Sequence, residues 1–218
     1  MQKPNITKEC VKTVTENRFF SMVDIQYAPG RHYYTTGRHK PDEIVAIKSD
    51  SEFKKMLPDA VSCFVILKAK GEEPKLLFVR EFRYPAGRFL IAPPAGLMDP
   101  EDKNTPNPLF STAVREIFEE TGIQIKDSDT LKVVNPLAFS SPGMTDESNA
   151  LVCAVVELED YSSLNQGGAE GSECFDGFVM LTKDEAKEML LAGRDSDGYF
   201  YSMYTWAALM YFVSDMWQ

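Results

Sequence analysis

Arg115-Glu116-Ile117-Phe118-Glu119-Glu120-Thr121-Gly122-Ile123 is the stretch on which the reading of this 218-residue chain turns. Upstream, Asn107-Pro108 is a helix-start signal, an N-cap residue followed by proline at the first helical position. Gly122 is placed to stop the helix at C′. Between them Glu116, Glu119 and Glu120 stand at i, i+3 and i+4 and share one helical face. Ala113, Val114, Ile117 and Phe118 supply an apolar face for packing on a sheet. Like charges at these spacings destabilise a helix by a few tenths of a kcal/mol per pair, roughly 0.2–0.5. Arg115, one turn before Glu119, relieves one such repulsion. A bound cation is the simplest reason to tolerate the rest. Hard oxygen donors without nearby His or Cys point to Mg²⁺, with Mn²⁺ as the second choice. A solvated acidic face is the alternative reading of the three glutamates alone.

Upstream of the helix-start signal sits Pro94-Ala95-Gly96-Leu97-Met98-Asp99-Pro100-Glu101-Asp102, a Gly-bearing turn after an apolar run. Together the two pieces resemble the Nudix box: Gly, five residues, Glu, seven residues, then Arg-Glu-apolar-x-Glu-Glu-x-Gly-apolar. The second half matches at every fixed position from Arg115 to Ile123. The first half departs from it. Asp102 stands where the pattern has Glu, and Lys103–Pro108 lengthen the loop before Arg115. The resemblance implies an α/β fold, the Nudix α/β/α sandwich with a mixed sheet, over about residues 55–195.

A narrower resemblance lies on either side. Phe82-Arg83-Tyr84-Pro85 followed by Pro94-Ala95-Gly96 is similar to the ADP-ribose pyrophosphatase group within the Nudix family. It implies that Arg83 and Tyr84 lie near the substrate and that the Ala95 carbonyl helps Glu116 and Glu120 hold the metal. Relatives often carry Glu where this chain has Ala92. The segment Ser141-Pro142-Gly143-Met144-Thr145-Asp146-Glu147 resembles the group's catalytic loop, with Glu147 as the catalytic glutamate. Attack on a diphosphate needs water with its proton removed, and a carboxylate on a mobile loop can swing to that water. Asp146, Glu170 and Glu173 are alternative carboxylates. Glu119 completes the catalytic acidic cluster, as a ligand or through water.

The composition bounds partners. Net charge is −10, with 44% hydrophobic and 26% charged residues. An acidic chain argues against a nucleic-acid backbone or an anionic membrane as partner, but not against a small anionic substrate carried by a metal. Cys10, Cys63, Cys153 and Cys174 are scattered, with no CxxC, as expected of reduced thiols in a cytoplasmic protein. The N-terminus lacks a signal-peptide pattern, and no apolar run approaches the roughly 18 residues of a membrane span.

Residues 1–54 read as a small antiparallel β unit that mediates dimerisation, and residues 55–218 as the catalytic domain. Arg18–Ala28, His32–Thr36 and Glu43–Lys48 are the expected N-terminal strands, with Pro29-Gly30 as a turn. In the larger domain strands are expected at 60–69, 75–82, 131–139, 150–158 and 174–181. Thr182-Lys183-Asp184-Glu185 is a capping box opening a helix that ends at Gly193. A last apolar helix is expected over Tyr204–Met216. The resemblance as a whole implies a Mg²⁺-dependent hydrolase that splits a nucleoside diphosphate linked to another group, in first place ADP-ribose into AMP and ribose 5-phosphate. Sugar nucleotides such as GDP-mannose are the nearest alternative substrates. A domain that binds ADP-ribose or a nucleotide without cleaving it is the alternative in kind.

Overall fold

The computed structural model describes residues 3–168 and 171–218. The chain divides into two compact units. One runs to Asp59 and includes Leu137–Asn149; the other comprises Ala60–Pro136 and Ala150–Gln218. The boundary expected after residue 54 thus falls at Asp59. The loop carrying Glu147 groups with the N-terminal segment.

The N-terminal unit holds a three-stranded antiparallel sheet of β1 (Val11–Glu16), β2 (Ser21–Ala28) and β3 (Arg31–Gly37), followed by a one-turn helix α1 (Asp50–Phe53). Gly30, at φ +68°, makes the tight β2–β3 turn that Pro29-Gly30 announces. Glu43–Lys48 is not the third strand. Val45–Ile47 forms a 3₁₀ turn, and Ile44 and Val45 are buried, with Ile44 packed against Val23 and Ile25. The third strand is Val-Lys-Thr-Val-Thr-Glu at 11–16. It lies almost wholly in solvent, so its apolar signal is weak.

The larger unit is built on a seven-stranded mixed sheet. Its strands are β4 (Ala60–Ala69), β5 (Lys75–Arg83), β6 (Arg88–Ala92), β7 (Ala95–Leu97), β8 (Thr130–Phe139), β9 (Ser148–Leu158) and β10 (Phe175–Leu181). The order is β10-β5-β4-β9-β8, with β6 on β5 and β7 on β4. Strand β4 is buried at nine of its ten positions, as a near-continuous apolar run requires. Its side chains alternate between two cores. Val61, Cys63, Val65 and Leu67 meet Ala113 and Ile117 of α3 (Pro108–Thr121). Phe64 and Ile66 meet Ala186 and Met189 of α4 (Lys183–Ala192) and Leu209 and Phe212 of α5 (Met203–Val213). Helices on both faces of one sheet make the α/β/α sandwich. Strands β4, β5 and β9 contribute to both cores, and α3 rests on one of them by its Ala113–Ile117 stripe. Phe118, expected in that stripe, is 48% exposed, because it follows Ile117 by one residue and points about 100° away from it.

Candidate active site

Helix α3 begins and ends where the sequence signals place it. Asn107 occupies the N-cap, but its side chain makes no cap bond; its carbonyl accepts from the amides of Phe110 and Ser111. Gly122 is left-handed at φ +73°, and its amide donates to the Phe118 carbonyl at 2.8 Å. Before it, the short helix α2 (Pro100–Lys103) starts at Asp99 with a capping box closed by Asp102. The residues that lengthen the loop are therefore partly helical.

One guanidinium organises the acids. Arg115 reaches Glu116 Oε1 at 2.7 Å and Glu119 Oε2 at 3.0 Å through one terminal nitrogen. Its other terminal nitrogen donates to Asp102 Oδ2 at 2.9 Å and to the Leu97 carbonyl at 2.8 Å. Arg115 thus relieves two of the three glutamates, not one. Asp102 is buried and also accepts from Thr112 Oγ1 at 3.1 Å. The residue that departs from the box pattern braces Arg115 through its Oδ2.

Glu116 and Glu120 are 5% and 3% exposed. Burial pushes the Glu116 carboxyl up to about 7; Arg115 opposes this, and the charges of Glu119 and Glu173 add to it. Burial also raises Glu120 well above its ordinary value; the Ala95 amide opposes it, and the charges of Glu81, Glu116 and Glu173 add. The Ala95 amide donates to Glu120 Oε1 at a long 3.4 Å. Among the described residues, Glu120 Oε2 is the one buried side-chain oxygen or nitrogen without a hydrogen-bond partner. Buried carboxylates left this way are costly unless something positive reaches them. Gly96 leaves them room: a Cβ there would stand 2.0–2.2 Å from the Glu116 carboxylate atoms. An orphaned oxygen, two buried carboxyls with raised proton affinity and a side-chain-free cradle fit a hard divalent cation. No three acidic, His or Cys side chains among the described residues are grouped as a ready metal site. The expected donors are two carboxylates and a backbone carbonyl.

Arg83 and Tyr84 lie at the end of β5. Arg83 pairs with Glu81 Oε2 at 2.6 Å, and Tyr84, 64% exposed, donates from its hydroxyl to the Ser172 carbonyl at 3.2 Å. Glu81 is a residue that the sequence reading missed. Burial raises its carboxyl, Arg83 lowers it and Glu173 raises it again. Its position two residues before Arg83 on one strand, hence on the same side, was the available signal.

Glu147 lies in the other unit. Its Oε2 is 3.6 Å from Arg38 Nε, its amide donates to Thr145 Oγ1 at 3.1 Å, and its side chain is one-third exposed. The loop around it is fastened rather than free to swing. Tyr33 Oη and Thr35 Oγ1 of β3 donate to the Gly143 and Met144 carbonyls at 2.6 and 2.9 Å. Asp146 Oδ2 accepts from the Val45 amide at 2.9 Å and faces His39 Nδ1 at 3.0 Å. His39 Nε2 is 3.1 Å from Asp59 Oδ1. Asp146 is engaged in this way and does not offer itself as an alternative base. Glu170 lies outside the described residues. His39 and Asp59 were missed because their partners are far away in sequence.

The pattern of the NUDIX domain matches residues 56–203. An ADP-ribose pyrophosphatase of Saccharomyces cerevisiae is 31% identical over 147 residues, covering 65% of this chain and 57% of that protein. An ADP-sugar pyrophosphatase of Mus musculus is 25% identical over 127 residues, covering 58% and 54%. The chain thus spans little more than half the length of these curated relatives. A crystal structure of an ADP compounds hydrolase superposes with a TM-score of 0.61 at 19% identity, covering 99% of this chain and 95% of that one. At that identity the likeness shows the shared fold.

Proposed function

This chain belongs to the NUDIX family, and on that premise we propose that it hydrolyses the diphosphate bond of a nucleoside diphosphate joined to a second group, with ADP-ribose as first substrate. The buried, unpartnered oxygen of Glu120 beside Glu116 carries the reading, since it calls for a cation where a diphosphate would be met. The relatives' names, ADP-ribose pyrophosphatase and ADP-sugar pyrophosphatase, support this substrate class.

Glu116, Glu120 and the Ala95 carbonyl are the metal donors in this reading, with Mg²⁺ the ion and Mn²⁺ its substitute. The ion, when bound, neutralises charge on the phosphate oxygens. Arg115 holds Glu116 and Glu119 in register, and Glu119 completes the acidic cluster. Arg83 exchanges Glu81 for a phosphate oxygen, a trade between two anions, and Tyr84 lies beside it. Glu147 takes the proton from the attacking water. Water oxygen joins one phosphorus, the bridging P–O bond breaks, and AMP and ribose 5-phosphate leave.

The N-terminal unit, with Tyr33 and Tyr34 exposed on β3, is the dimerisation surface in this reading. No described helix is long and apolar enough to cross a membrane. In this reading the protein is cytoplasmic and acts on a small molecule. Incubation with ADP-ribose, with Mg²⁺ and with EDTA, tests the function. Metal-dependent release of AMP and ribose 5-phosphate is expected. Binding of ADP-ribose without release under both conditions would make the domain a sensor and overturn the proposal. Faster turnover of an ADP-sugar or GDP-mannose would keep the reaction and change the substrate.

A further inference from the structure

The residues on either side of Glu147 converge on one imidazole. Asp146, immediately before it, meets His39 Nδ1 at 3.0 Å. Ser148, immediately after it, donates from its amide and its hydroxyl to Asp59 Oδ2 at 2.9 and 3.1 Å. Asp59 Oδ1 in turn faces His39 Nε2 at 3.1 Å. The Asp59 amide also donates to the Ser148 carbonyl at 3.0 Å. The ring Asp146–His39–Asp59–Ser148 therefore closes around Glu147 without using its carboxylate. An imidazole whose two nitrogens both face carboxylates must donate from both, which only the charged ring can do. Its hydrogen bonds to Asp146 and Asp59 hold the ring protonated against the effect of burial, with its pKa pushed up to about 10. Gly37 admits Asp146 to this arrangement, since a Cβ there would stand 2.1 Å from Asp146 Oδ1.

We infer that His39 is a positioning residue for the reaction: through Asp146 and Asp59 it fixes the backbone on both sides of Glu147 and so sets where the Glu147 carboxylate stands. The inference rests on Glu147 acting as the base. It adds that the base is aimed by a histidine from the N-terminal segment. A base displaced by about 1 Å can lose on the order of a hundredfold in rate.

A double-mutant cycle on ADP-ribose with Mg²⁺ tests it. His39→Gln should lower kcat by about 10- to 100-fold and leave KM within about twofold. In a Glu147→Gln background His39→Gln should cost nothing further, because its whole effect passes through that carboxylate. Equal losses in both backgrounds would mean that His39 acts on general structure, and the inference falls. Unchanged kcat in His39→Gln, with Glu147→Gln impaired, also overturns it while leaving the base intact. Full activity in Glu147→Gln would remove the base and the inference together. Should His39→Gln unfold by circular dichroism, Asp59→Asn takes its place in the same cycle. It cuts only the Ser148 side of the ring, and the same outcomes decide.

Discussion

Two groups of carboxylates, one in each unit, are treated in opposite ways. On α3, Glu116 and Glu120 are both buried, and both are pushed toward the protonated form by burial. Around the Glu147 loop, burial also works against Asp59 and Asp146, but His39 outweighs it and holds both below the usual carboxylate range. Every oxygen that the second group needs for its architecture has a donor: Val45, Ser148 or His39. The first group leaves Glu120 Oε2 with none. A folded protein does not keep a buried carboxylate unsatisfied for the sake of stability. Satisfied acids build the scaffold, and the unsatisfied one is where the proposed cation would complete the structure.

The largest effect belongs to the acid that the scaffold holds but does not consume. Glu147→Gln should cut kcat by about 10²–10⁴, with substrate binding nearly intact, since the residue is asked to act on water. Steady-state kinetics with a separate titration of ADP-ribose binding checks both halves. A near-normal kcat would move the base elsewhere, to Glu173 before other candidates.

Next comes Glu120→Gln, which keeps shape and removes charge. Turnover should fall at least about a hundredfold, or about 2.7 kcal/mol. Thermal stability in EDTA should hold or rise, because a buried carboxyl with an unpartnered oxygen and a costly ionised form is replaced by a neutral amide. Asp146→Asn should do the reverse and lower Tm, because its charge is paired. If both variants lose stability alike, the division into site and scaffold carboxylates is wrong.

That division was only partly legible in the sequence. The i, i+3, i+4 glutamates, the Pro108 start and the Gly122 stop sit in consecutive residues, so local geometry alone placed them on one helical face. Both cores of the sandwich followed from β4, whose ten residues read as a buried strand. What escaped was set by contacts between distant residues. His39 meets Asp59 and Asp146, 20 and 107 positions away, and no local period announces that meeting. The strand at 11–16 escaped for a different reason: its side chains face water, so burial left no mark on its composition. The run at 43–48 misled because Ile44 and Val45 are buried from a turn, and apolar character does not distinguish a turn from a strand. Arg115 looked like a partner for one glutamate because residues i and i+1 do not face each other on a helix, yet its long side chain bends back to Glu116 Oε1 at 2.7 Å.

The clamp has a sign that pH can test. His39 has its folded pKa raised from 6.5 to about 10, so its contribution is fully present below pH 6.5 and is lost as pH rises toward 10. Asp59 and Asp146 have folded values below 3.8, so theirs is present above 3.8 and is lost as pH falls through the depressed values. These are the same ion pairs seen from both partners, and they define one window between about pH 4 and 6.5. Within it His39→Gln should cost about 1.5–3 kcal/mol, the worth of a charged hydrogen bond. The gap to wild type should narrow from pH 7 to 9. Urea denaturation of both proteins at pH 5, 7 and 9 reads it, and a gap that widens with pH would exclude a protonated ring.

The finest distinction comes from two glycines that stand in the same relation to the two kinds of acid. A Cβ on Gly96 would meet the Glu116 carboxylate at 2.0–2.2 Å, and one on Gly37 would meet Asp146 Oδ1 at 2.1 Å. Neither glycine has a positive φ, so alanine is acceptable to both backbones. In each case the neighbour that must yield is the tip of a side chain, and the outcome depends on what that tip is doing. Asp146 cannot move without stretching its bonds to His39 and the Val45 amide, so Gly37→Ala should lower Tm measurably. Glu116 can turn aside at the expense of one bond to Arg115, whose guanidinium keeps Asp102, Glu119 and the Leu97 carbonyl, so Gly96→Ala should cost less stability than Gly37→Ala. Its penalty appears in function instead: a displaced metal donor should cost about tenfold in turnover, or about 1.4 kcal/mol. More Mg²⁺ should recover part of that loss, because a weakened site fills again by mass action. Melting curves in EDTA and rates across a Mg²⁺ titration separate the two variants. A Gly96→Ala protein that melts early yet works normally at limiting Mg²⁺ would show Glu116 to be scaffold, and the contrast between the two regions would lose one of its two site carboxylates.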